Sequence, residues 1–128
     1  MADKILVVDD ELDILNLTKE ILEKNGFQVV TAVNGDEALL KAEAEMPGLI
    51  LLDWMMPRKN GVEVCKILKS QVKTKHIPIL LFSASAYNLD ELAAEAGADG
   101  YLTKPFIYER LVAEVKKHLE MSRGIIVQ

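Results

Sequence analysis

Apolar runs of strand length occur at residues 4–8, 27–32, 48–53, 77–82 and 99–102, and the stretches between them carry apolar residues at helical spacing. This is a repeated strand–helix pattern. In the first helix Ile14, Leu17, Ile21 and Leu22 form the expected apolar face, and Asn25-Gly26 supplies a left-handed stop. The second begins at Asn34, whose side chain caps the first turn while Glu37 reaches back, and Ala38, Leu39 and Ala42 give it an apolar stripe. The last is expected from about Ile107 to Met121, with Ile107, Leu111, Val115 and Leu119 along one face.

Strands that are apolar at nearly every position are buried on both faces, as when crossover helices cover a parallel sheet from both sides. The fold class is therefore α/β, a doubly wound five-stranded parallel sheet. Right-handed crossovers favour the order 2-1-3-4-5, borrowed here from known sheets of this kind, with the ligand crevice where the winding reverses beside strands one and three. That order gathers Asp9 and Asp10, which follow the first strand, with Asp53, which closes the run Leu49-Ile50-Leu51-Leu52. Ser83 after the fourth strand and Lys104 after the fifth approach the same crevice from the other side.

Composition narrows the class. A chain of 128 residues with half its residues hydrophobic suits one compact domain, drawn here over residues 1–121 with 122–128 as a tail or the start of a linker. The formal net charge of −5 and the lack of a basic stripe argue against direct nucleic-acid binding. One cysteine, Cys65, forms no internal disulfide and belongs to no zinc pattern, so a reducing compartment is expected. No apolar run is long enough to span a bilayer and nothing resembles a signal peptide, which makes the expected location cytoplasmic, away from the membrane.

Three crowded carboxylates repel, so their gathering predicts a cation. Their hard oxygen ligands, with no thiol or imidazole among them, favour Mg2+ or Mn2+ over zinc. Magnesium commonly takes phosphate oxygens as further ligands, and an ionised aspartate is a nucleophile toward phosphorus. Asp53 is thus the candidate phosphoacceptor. The ammonium of Lys104 would meet one phosphoryl oxygen and the hydroxyl of Ser83 another.

Asp9-Asp10, Asp53-Trp54-Met55-Met56-Pro57, Ser83-Ala84 and Lys104-Pro105, in this order at strand ends, resemble the receiver domain of bacterial response regulators over residues 4–121. The resemblance implies a flavodoxin-like receiver fold with five helices and a signalling switch of a two-component phosphorelay. Asp53 would accept a phosphoryl group from a sensor histidine kinase or a histidine phosphotransfer protein. Asp9, Asp10, Asp53 and the backbone carbonyl of Met55 would hold the metal, and Ser83, the Ala84 N–H and Lys104 the phosphate. Ser83, where the family more often has threonine, and Tyr101 would form the switch that changes the surface offered to a downstream effector or output domain. Pairing of two copies on phosphorylation is a further family expectation. The protein would catalyse only its own phosphorylation and slow dephosphorylation.

Plainer roles stand beside these. Acids cap helices, so Asp9 and Asp10 also fit the start of the first helix. Tyr101 reads equally as a half-buried aromatic, Cys65 as a small core residue, and His76 and His118 as surface or interface positions. Trp54 is expected beside the site with an exposed edge, and Gly61 at the start of the third helix. A magnesium phosphohydrolase is the enzymatic rival, weakened because Met55 stands where such enzymes carry a second aspartate. A flavin or nucleotide module shares the architecture but would want a glycine-rich loop where Asp9-Asp10-Glu11 stands. A receiver that serves only as a binding surface is a third. The chain reads either as a stand-alone receiver or as the receiver of a longer regulator with a DNA-binding or enzymatic output domain.

Overall fold

The computed structural model describes residues 3–56, 59–83, 88–103 and 108–124. Strands and helices alternate along the chain as β1 (Lys4–Val8), α1 (Leu12–Lys24), β2 (Gln28–Ala32), α2 (Gly35–Glu45), β3 (Leu49–Asp53), α3 (Gly61–Ser70), β4 (Ile79–Ser83), α4 (Leu89–Ala96), β5 (Gly100–Thr103) and α5 (Tyr108–Ser122). The sheet is wholly parallel in the order β2-β1-β3-β4-β5, as expected.

The two-residue period of the strands divides the core in two. Leu6, Val8, Ile50, Leu52, Ile79 and Leu81 face α2, α3 and α4, where Ala38, Ala42, Val64, Cys65, Leu68 and Ala93 meet them. Ile5, Val7, Leu49, Leu51, Leu80 and Phe82 face the other way, against Leu15 and Leu22 of α1 and Leu111, Val115 and Leu119 of α5. Each fully buried aliphatic side chain contributes about 1.5–3 kcal/mol, so the three central strands hold most of the driving force. The edge strands β2 and β5 are only partly covered.

Local signals behave mostly as the residues suggest. Asn34 Oδ1 accepts the Glu37 N–H at 2.8 Å, capping α2, while the Glu37 carboxylate pairs with Lys41 one turn on instead of reaching back. Gly26 takes φ of +89° directly after α1, the left-handed stop expected there. The apolar face of α1 needs correction. The helix buries Leu15, Thr18 and Leu22, whereas Leu17 is 55% exposed and Ile14 and Ile21 are only partly covered. The stripe 15–18–22 is itself helically spaced, and docking on β1 and β2 turned the helix by about one residue from the most hydrophobic face.

In α5, Leu111, Val115 and Leu119 are buried as expected, while Ile107 lies outside the described residues. His118 is not on the surface. It is 7% exposed, packed so closely on Gly100 that a Cβ there would come within 2.9 Å of its Nε2, with Glu114 at 3.5 Å. His76 is exposed, as expected. The fourth strand begins and ends later than the apolar run suggests, so Ser83 is its last residue. The approach to β4 is fastened by Asp99, whose Oδ2 accepts the Ile79 N–H at 2.8 Å and the Lys69 ammonium at 2.7 Å.

Cys65 is fully buried in the core, in line with the plainer reading. Burial pushes its thiol from 9.0 up to about 11, with nearby Lys69 opposing and Asp99 adding to the rise. The unfolded thiol ionises first as pH rises, so its contribution to stability is complete below pH 9 and is lost as the pH climbs toward 11. Urea melts should therefore show the stability difference between the wild type and Cys65→Ala shrinking from pH 8 to pH 10.5. A difference that stays constant over that range would contradict this environment for the thiol.

Candidate functional site

The site is built by register. Val8 of β1 lies opposite Leu52 of β3, so the next residue of the first strand, Asp9, is level with Asp53. The Asp9 N–H continues the sheet by donating to Ala32 O at 3.1 Å, and the Trp54 N–H does the same toward Phe82 O at 2.9 Å. Backbone pairing thus fixes both acid-bearing positions before any side chain is considered.

Asp9, Asp10 and Asp53 each offer a carboxylate oxygen within 4.8 Å of the others. Asp9 and Asp53 are buried, whereas Asp10 is exposed at the mouth. Asp9 Oδ1 accepts the Glu11 N–H at 2.9 Å, an arrangement that orients the carboxylate and tightens the turn into α1. Asp9 therefore serves the turn as well as the acid group. Asp53 Oδ1 accepts the Met55 N–H at 3.2 Å. Beside them opens a cavity of about 410 Å³ lined by Asp10, Trp54, Met55, Met56 and Asn60. Trp54 and Met56 are half-buried against the core, and the Met55 side chain is exposed, leaving its sulfur no part in the acid group.

Gly61 closes this corner. Its N–H donates to Trp54 O at 2.8 Å, and a Cβ at this position would lie 2.5 Å from Asp53 O and 2.8 Å from Trp54 Cα. Only glycine permits that approach. Asn60, before it, caps α3 by accepting the Glu63 N–H at 3.0 Å. The sequence reading placed Gly61 at the helix start but overlooked Asn60, although Asn60…Glu63 repeats the spacing of Asn34…Glu37.

Ser83 is buried at the end of β4, one residue beyond Phe82, the β4 partner of Asp53. Tyr101 lies on the edge strand β5 and is 46% exposed. Lys104 and Ala84 lie outside the described residues. Of the residues named from the sequence, the structure thus draws Asp9, Asp10 and Asp53 into one group, with Met55 beside them. The donor set suits a hard divalent cation: the oxygens are all carboxylate, and among the described residues no cysteine or histidine belongs to the group.

The response regulator receiver domain family model matches residues 5–116. The chain belongs to this family. The receiver is 48% identical over 123 residues to the alkaline phosphatase synthesis transcriptional regulatory protein PhoP of Bacillus subtilis, covering 95% of the chain and 50% of that relative. It is 43% identical to the phosphate regulon transcriptional regulatory protein PhoB of Escherichia coli, covering 91% and 51%. Among solved structures, a CheY-like response regulator receiver domain protein from Methanospirillum hungatei superposes with a TM-score of 0.89 at 29% identity, covering 97% of this chain and 98% of that one. The chemotaxis response regulator CheY4 of Vibrio cholerae gives 0.86 at 32%, covering 92% and 99%. The receiver spans about half the length of the curated relatives it matches. Membership in this family favours the signalling reading over the phosphohydrolase and flavin readings. Among the described residues no helix is long and apolar enough to cross a membrane.

Substituting Gly61→Ala should force the backbone of Asp53 and Trp54 apart, lowering stability by about 1–3 kcal/mol and shifting the emission of Trp54, the sole tryptophan. Unchanged melting and emission would show that this close approach is not a constraint.

Proposed function

We propose that this receiver is a phosphorylation-dependent switch whose acceptor is Asp53, supplied by a sensor histidine kinase or a histidine phosphotransfer protein. The observation that carries the reading is the gathering of Asp9, Asp10 and Asp53 at the adjoining ends of β1 and β3. A carboxylate oxygen of Asp53 attacks phosphorus, an O–P bond forms, and the P–N bond to the donor imidazole breaks, its nitrogen taking up a proton. Bound Mg2+, or Mn2+ in its place, would supply positive charge against the phosphoryl oxygens. Asp9, Asp10, Asp53 and the Met55 carbonyl would hold that ion.

Ser83, the Ala84 N–H and Lys104 complete the proposed site by meeting the remaining phosphoryl oxygens. The new group adds negative charge and strong acceptors at one point, and it shifts the receiver between two states to the extent that one state binds it better. Ser83 and Tyr101 are the proposed relay, with the exposed Tyr101 turning inward as Ser83 moves. The effect would pass to an effector protein or output domain, and pairing of two receivers is one route. Because the receiver spans about half of PhoP and PhoB, transcriptional regulatory proteins by name, we assign it as the regulatory half of a regulator of that kind. Turnover would be confined to its own phosphorylation and slow hydrolysis, in the cytoplasm.

Incubation with Mg2+ and a small acyl phosphate should add one phosphoryl group to the intact mass of the wild type, and none to Asp53→Asn or to metal-free protein. Equal gain in Asp53→Asn, or no gain in the wild type, would overturn the assignment of the acceptor.

A further inference from the structure

The amino-terminal turn of α2 presses on the segment that leads from Asp53 to α3. A Cβ on Gly35 would lie 2.7 Å from Lys59 Cβ, 2.8 Å from Lys59 O and 2.9 Å from Val64 Cγ2. The neighbouring residue, Asp36, accepts the Lys59 ammonium at 2.9 Å. Lys59 stands two residues before Gly61, which is itself wedged against Asp53 O and hydrogen-bonded to Trp54 O. A short path of backbone contacts therefore joins α2 to both ends of the turn that carries Met55. The ion pair is half-exposed, so its Coulomb energy is modest. Its value lies in direction: it pulls the Lys59 side chain toward α2 while Gly35 lets the two backbones meet.

From this geometry we infer that Lys59, acting through Asp36 and the close approach at Gly35, is a positioning residue for the acid site. It sets where the Met55 carbonyl stands relative to the register-fixed Asp9 and Asp53, and so tunes divalent-cation affinity without touching the ion. Outer contacts that orient metal ligands commonly change affinity by about 10–100-fold when removed. Here the contact is indirect and partly solvated, so a smaller effect is expected for the ion pair than for the glycine. The inference rests on the metal-dependent reading of the acid site given above.

The test is Mg2+ titration followed by Trp54 fluorescence, with the rate of acyl-phosphate-driven phosphorylation measured at limiting and saturating Mg2+. Lys59→Met and Asp36→Asn should each weaken Mg2+ binding about threefold, below the range for direct outer contacts, and the double variant should be no worse than either alone. Lys59→Arg should restore the wild-type affinity. Phosphorylation by Lys59→Met should be slow at limiting Mg2+ and recover at saturation, whereas a general loss of folded protein would depress the rate at every concentration. Gly35→Ala should weaken binding about tenfold; if it does not fold, the ion-pair variants still decide the matter. Wild-type affinity in folded Lys59→Met and Asp36→Asn would overturn the inference alone. A wild type that neither binds Mg2+ nor accepts phosphate would overturn the reading beneath it, and the inference with it.

Discussion

Parallel pairing of β1 with β3 is the constraint on which this receiver depends. Hydrogen bonding places Val8 beside Leu52, and the residues that follow these two, Asp9 and Asp53, are then brought side by side whatever their charges prefer. The core on both faces of the central strands supplies the free energy that holds them there. A sheet ordered differently would scatter the acids among separate loops. The fold thus spends hydrophobic burial on keeping together three carboxylates that repel, and a divalent cation is the natural relief of that repulsion.

Backbone proximity refines the arrangement. Gly61 lets the start of α3 rest on the Asp53 carbonyl, and Gly35 lets α2 rest on Lys59. Between these two contacts lies the turn whose Met55 N–H already bonds to Asp53 Oδ1. The acid group is therefore framed from the sheet side by register and from the helix side by two glycines. The position of the acid group in such a frame is a property of packed backbone more than of any single charged contact.

Much of this was legible in the sequence because it follows from periodicity. Apolar runs long enough for strands, each followed by a helical stripe, identify a doubly wound sheet, and acids placed just after two such runs mark its crevice. The face of α1 was misjudged in part because Ile14, Leu17 and Ile21 extend the apolar surface on which Leu22 was rightly placed, and only docking on the sheet decides that Leu15 and Thr18 join Leu22 inside. His118 looked like a surface residue because nothing local reveals that Gly100, eighteen positions earlier, leaves room for an imidazole. The pairing of Asp36 with Lys59 was equally hidden, since it joins residues from different helix–strand units. Long-range contacts of that kind have no signature in spacing.

The central claim is that register imposes a charge conflict which a divalent cation resolves. Thermal unfolding of the wild type and of Asp10→Asn, with and without Mg2+ at matched ionic strength, tests it most directly. The account predicts a crossover: without Mg2+ Asp10→Asn melts higher than the wild type, while at a hundredfold excess over Kd the wild type gains about 2.7 kcal/mol and the variant gains little. A wild type whose melting ignores Mg2+, in company with an Asp10→Asn protein no more stable than the wild type in its absence, would contradict it.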